Sequence, residues 1–106
     1  MRVDIKPLSI NEAYRGRRFK TAKYKSYEEE LYYLLPKLEV GEGMLGLEIE
    51  FGVSSKASDL DNCVKSFLDV LQKKYHFDDK RVYRLILEKM DVKKGKEYID
   101  FQIYNI

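Results

Sequence analysis

Between residues 45 and 53 the chain alternates without a break. Leu45, Leu47, Ile49, Phe51 and Val53 are separated by Gly46, Glu48, Glu50 and Gly52. Successive side chains of a strand point to opposite faces, so a period of two dictates a β-strand with one apolar face against a core. The other face is expected to be wet or to meet a ligand. A strand of this kind needs neighbours and a cover, and the rest of the sequence supplies both.

The cover is helical. Residues 59–75 carry Leu60, Val64, Phe67, Leu68, Leu71 and Tyr75 at helical spacing, with Asn62, Lys65, Asp69, Gln72 and Lys73 off that stripe. A first helix is expected from Ser26, where Ser26 and Glu29 have capping-box spacing. Tyr27, Leu31, Leu34, Leu35 and Leu38 form its stripe, and Pro36 ends or kinks it. Further strands are expected at residues 2–7, an edge ending at Pro7, and at 82–90 and 97–104. Lys93-Lys94-Gly95-Lys96 reads as the hairpin loop between the last two. The order is β-α-β-α-β-β. It predicts a single α+β domain over residues 1–106, with helices packed on one face of a mostly antiparallel sheet.

At 106 residues the chain supports one core and not two. No apolar run approaches the roughly 18 residues a bilayer requires, and residues 1–15 lack a signal-like apolar stretch. The single cysteine, Cys63, makes no intrachain disulfide and fits a reducing cytoplasm. With only His76 beside it, zinc of the usual Cys/His kind is not expected. Cys63 reads as a small core residue and His76 as a helix-end histidine.

Net charge is only +2, but it is unevenly spread. The segment 14–27, YRGRRFKTAKYKSY, holds Arg15, Arg17, Arg18, Lys20, Lys23 and Lys25 and no acid. Residues 9–25 lack clear periodicity and read as an exposed basic loop, and the cations interleaved with Tyr14, Phe19, Tyr24 and Tyr27 make a pattern suited to DNA phosphates and bases. Lys56 adds one more cation. Tyr14, Tyr24, Tyr32, Tyr33 and Tyr104 are candidates for an interface or for stacking, and equally for ordinary packing.

The chemistry-bearing run is Asp59-Leu60-Asp61-Asn62, with Lys65 one turn later and Asp78-Asp79 after the helix. Two readings fit it. Ser58-Asp59-Leu60-Asp61 has the form of a helix cap, with acids at the positive end of the helix dipole. Carboxylates gathered in this way also hold Mg²⁺ near a phosphodiester, and Lys65 shares a helix face with Asp61, where it can meet a phosphate or form a salt bridge.

Asp59-Leu60-Asp61-Asn62, the spaced Lys65, Asp69 in the helix and the closing Asp78-Asp79 before Val82 resemble the RusA-type Holliday junction resolvases. Asn11, Tyr14, the basic segment and Tyr27 are similar to that family's N-terminal part. Some members carry arginines just before the acidic run; here Ser54-Ser55-Lys56-Ala57-Ser58 has one positive charge. The resemblance implies a homodimeric, Mg²⁺-dependent endonuclease, with Mn²⁺ as a substitute, that makes paired nicks in branched DNA (four-way junctions) during recombination and repair, commonly in prophages. It implies Asp59, Asp61 and Asp79 as catalytic metal ligands and Lys65 as the catalytic lysine, with Asn62 and Asp78 in support. Tyr14, Arg15, Arg17, Arg18, Lys20, Lys23, Lys25 and Lys56 are the expected DNA contacts. No membrane and no small-molecule substrate is expected. The alternative function is a non-catalytic protein that binds branched or single-stranded DNA.

One expectation is geometric. A helix rises about 1.5 Å per residue, so Asp61 to Lys74 spans roughly 20 Å. Five further residues reach at most about 18 Å. Asp79 then returns to Asp59 only if the helix ends early or the chain doubles straight back; otherwise it completes the site of a partner subunit.

Overall fold

A computed structural model describes residues 1–15, 19–56 and 58–106, without the side chains of Tyr14 and Arg15. The elements in chain order are β1 (Arg2–Val3), α1 (Ile10–Ala13), β2 (Tyr14–Arg15), β3 (Phe19–Lys20), α2 (Ala22–Leu34), β4 (Leu45–Val53), α3 (Leu60–Tyr75), β5 (Val82–Asp91) and β6 (Tyr98–Asn105). A 3₁₀ turn, Asp79–Arg81, leads into β5. The fold is α+β, as the sequence predicts. Among the described residues no helix is long and apolar enough to cross a membrane.

The sheet order is β1-β6-β4-β5. β4 pairs antiparallel with β6 and parallel with β5, while β1 pairs antiparallel with β6. The sheet is therefore mixed, and the expected hairpin between the last two strands does not form. β4 lies between them. Its apolar residues are all buried, and burying that strand on both edges satisfies its backbone groups away from water. The chain from β4 through α3 to β5 is thus a crossover unit that places two parallel strands side by side.

Leu45, Leu47, Ile49, Phe51 and Val53 face the helices, where they meet α2 and α3 in one core. Phe67 of α3 is its centre, edge-on to Phe51 at 6.1 Å and to Phe101 at 5.4 Å between centroids. The opposite face of β4 is less open than expected. Gly46 lies beneath Tyr104 and Gly52 beneath Tyr98, so both glycines are buried and a Cβ at either would run into a ring. On that face of β4 Glu48 is exposed and Glu50 half-buried.

The N-terminal third departs most from expectation. The segment expected to be a loop holds α1, the β2–β3 pair and the start of α2. α2 begins at Ala22, not near Ser26, because Thr21 is its cap: the Thr21 hydroxyl accepts from Tyr24 N–H at 3.2 Å and donates to Glu12 O at 2.6 Å. The helix then buries Tyr24, Tyr27 and Leu31 at helical spacing, so Tyr24 is core and not a stacking platform. It stops at Leu34, as Pro36 requires. Thr21→Ala leaves the Tyr24 N–H without its partner, and a loss of about 1 kcal/mol is expected in urea unfolding, with Thr21→Ser close to wild type.

Candidate active site at the start of α3

Asp59 occupies the N-cap of α3 with extended backbone, φ −96° and ψ 133°, yet its side chain makes no capping bond. Among the described residues no Ser58-to-Asp61 capping box forms. Instead the Asp59 carboxylate accepts a long bond, 3.5 Å, from Asn62 Nδ2. Asp61 is exposed in the first turn, and Lys65 is exposed one turn further on. Among the described residues no ion pair joins Asp61 to Lys65. Both features remove the structural duties that would otherwise account for these charges: the acid does not cap, and the lysine is not held in a salt bridge.

A second cation arrives from the sheet. The parallel register sets Lys89 of β5 beside Phe51, and its Nζ donates to Ser58 O at 3.1 Å. Sequence reasoning missed Lys89, since its proximity depends on β5 lying next to β4, which the expected hairpin obscured. Cys63 is buried under this corner. Burial pushes its thiol up, and the negative charges of Asp59 and Asp61 push it the same way. It is a core residue, as expected.

Asp79 stands elsewhere. α3 ends at His76, whose left-handed backbone (φ 54°) turns the chain away from the helix axis. This confirms the helix-end assignment of His76. Asp79 N–H then donates to Gln72 Oε1 at 3.0 Å. Gln72 is eleven residues along the helix from Asp61, about 16 Å at the helical rise. The chain neither ends α3 early nor doubles back to Asp59. Asp78 caps the 3₁₀ turn by accepting from Lys80 N–H at 3.0 Å, and that bond holds its carboxyl below the usual carboxylate range. Among the described residues no group of three or more Asp, Glu, His or Cys side chains is placed to hold a metal ion.

The expected DNA contacts are partly occupied within the chain. Lys20 pairs with Glu28 at 3.2 Å and Lys23 with Glu12 at 3.6 Å. Lys73 also reaches Glu28, at 2.7 Å; burial opposes ionisation of Glu28, but these two lysines outweigh it and hold its pKa low. Lys25 and Lys56 are exposed. Tyr14 and Arg15 lie on β2, and Arg17 and Arg18 fall outside the described residues. Among the described residues Tyr33 and Phe19 are the most exposed aromatic side chains, at 87% and 73%.

Comparison with known families decides what this corner belongs to. A family model described as endodeoxyribonuclease RusA matches residues 9–102, nearly the whole chain. The chain belongs to the RusA endodeoxyribonuclease family. No curated protein matches it. The matched span runs from the start of α1 into β6, so it takes in the basic β2–β3 region, the α3 acids and Asp79 together. In this RusA-family chain, then, the acids at the two ends of α3 sit within one endonuclease domain but not within one cluster.

Proposed function

We propose that this chain is a Mg²⁺-dependent, structure-selective endonuclease that resolves four-way DNA junctions by paired nicks in recombination and repair, of phage or prophage type, and that it acts as a homodimer. The observation that carries this reading is the exposed Asp59–Asp61 pair, free of capping, with Lys65 and Lys89 beside it on a RusA-family scaffold. The donor chemistry fits the metal in kind: Asp59 and Asp61 offer the hard carboxylate oxygens that Mg²⁺ and Mn²⁺ take. One chain supplies two of the three expected carboxylates at this corner, and the partner's Asp79 is proposed as the third.

Asp59 and Asp61 would hold the Mg²⁺, which would supply an acidified water and positive charge for the departing oxygen. Asn62 steadies the Asp59 carboxylate through its amide. Lys65 lies free to meet the scissile phosphate or orient the attacking water, where a preorganised cation lowers the cost of developing charge. Lys89 fixes the Ser58 backbone immediately before the acids, which positions them. Lys25, Lys56 and the basic β2–β3 region are proposed to contact junction arms.

The test is incubation with a labelled four-way junction and Mg²⁺, beside a linear duplex of the same sequence and an Asp61→Asn control. Paired nicks confined to the junction, absent in the variant and absent without metal, are expected. Tight junction binding without nicks in Mg²⁺ or Mn²⁺ would instead identify a non-catalytic branched-DNA binder.

A further inference from the structure

β4 lies between β5 and β6, so residues 92–97, which join those two strands, cross the end of β4. From that end the chain runs through Ser54 to Ser58 and on to Asp59. The crossing is fixed in place. Val92 N–H donates to Val53 O at 2.8 Å, and Lys96 N–H closes a turn on Lys93 O at 2.9 Å, with Gly95 supplying left-handed backbone at φ 91°. Glu97 braces both sides: it accepts from the Gly95 N–H at 2.8 Å and from the Ser54 hydroxyl at 2.7 Å.

This turn carries Lys93, Lys94 and Lys96, three cations in four residues. All three are exposed, and among the described residues none makes an ion pair. Like charges this close repel one another, and an anion brought to the turn relieves that repulsion. Glu97 is the acid within 92–97, and the Ser54 bond above all holds its carboxyl below the usual carboxylate range. It shapes the turn and does not pair with the lysines. A turn already fixed presents its charges without a further ordering step, so little entropy is lost when they meet a ligand.

The turn also stands on the side of the sheet that leads to the acids. Lys89, four residues before Lys93, donates from Nζ to Ser58 O at 3.1 Å. Four extended residues cover about 13 Å, the axial length of roughly four nucleotides of one strand. Between the turn and Asp59, the segment Ser54 to Ser58 has Lys56 as its one cation. In the basic N-terminal region Lys20 and Lys23 are engaged with Glu28 and Glu12. Free positive charge on this side of the acids therefore comes chiefly from the end of the sheet.

We propose that the turn between β5 and β6 is a phosphate clamp, in which Lys93, Lys94 and Lys96 grip the sugar-phosphate backbone of a duplex arm beside the acidic corner. Contacts of this kind carry no sequence information; they fix the register and orientation of the duplex on the protein. The clamp rests on the nuclease reading for its ligand, DNA. It adds to that reading a contact surface separate from the β2–β3 region and built by the order of the strands.

The test is binding of a labelled four-way junction, by fluorescence anisotropy without metal, over a series of salt concentrations. The parent is compared with K93A/K94A/K96A, with K93R/K94R/K96R, and with K37A/K74A as a control at the far end of α3. Each phosphate contact removed lowers the slope of log K against log salt by about 0.9. The alanine triple is therefore expected to flatten the slope by about 2 to 3 and to weaken binding roughly 100-fold at 0.1 M salt. The arginine triple should keep the parent's slope, and so should the control. A linear duplex should show the same loss, since the contact is with backbone. An unchanged slope in the alanine triple, or a change no larger per lysine than in the control, would overturn the proposal, as would a parent that binds no DNA. The nuclease reading fails separately. A parent that binds through this turn but cuts no junction in Mg²⁺ or Mn²⁺ leaves the clamp standing on a DNA-binding protein. A parent that cuts, while the alanine triple binds with the parent's slope, sinks the clamp alone.

Discussion

Asp61→Asn chains mixed with Asp79→Asn chains are expected to regain junction cleavage that neither variant has alone. If the chain acts as the proposed homodimer, each variant alone lacks one carboxylate in both sites and should lose at least about 100-fold in cleavage rate. In the heterodimer the two defects fall on the same site if Asp79 is contributed in trans. The other site then holds Asp59, Asp61 and Asp79 intact. Random exchange makes about half of the dimers mixed, each with one working site, so roughly a quarter of the wild-type sites return. Those dimers should nick one strand of a junction and not two. The reason lies in α3: Asp79 is bonded to Gln72, far along the helix from Asp61, with no chain reversal to bring it back. No recovery in verified heterodimers would show that each chain builds its site alone, by a rearrangement of the turn after His76.

Phe67→Ala should be the most destabilising single truncation in the core. Phe67 is fully buried and packs edge-on against one ring from β4 and one from β6. Removing it opens a cavity where α3 is fastened to the two central strands. A cost of about 3–5 kcal/mol is expected, read as a fall in the urea midpoint with little change in slope. Because α3 carries Asp59, Asp61 and Lys65, junction cleavage should be lost at a lower temperature than in the parent. A loss below about 1 kcal/mol would mean that the sheet and helix are held together elsewhere.

β4 and α3 were legible because each is long enough to display its own period. Leu45 to Val53 alternate without exception, and Leu60 to Tyr75 repeat at helical spacing over four turns. The candidate acids were legible for the same reason, since they fall at the edges of those two elements. The partnering of β5 and β6 was not legible. A short loop between two strands suggests a hairpin, and no local signal says that a third strand, made earlier, takes the place between them. That error also hid Lys89. In the N-terminal third, Ser26 and Glu29 mimic a cap, while the working cap, Thr21, is identified by its bond to Glu12 in a neighbouring turn. The burial of Tyr24 followed from that earlier helix start, and a basic composition concealed it, whereas Tyr27 already stood on the expected apolar stripe.

The sheet order has a kinetic meaning. β6, which follows the other described strands in chain order, lies inside the sheet, between β1 and β4. Until it is made, β4 has one unpaired edge, β1 has no neighbour, and Phe67 lacks the ring of Phe101. These pairings join segments far apart in sequence, so the chain must close large loops before it gains from them, and folding should be slow for a domain of this size. A nascent chain halted before residue 98 would expose an apolar strand edge to its neighbours on the ribosome. Holding that edge until the final strand emerges is a natural task for a chaperone.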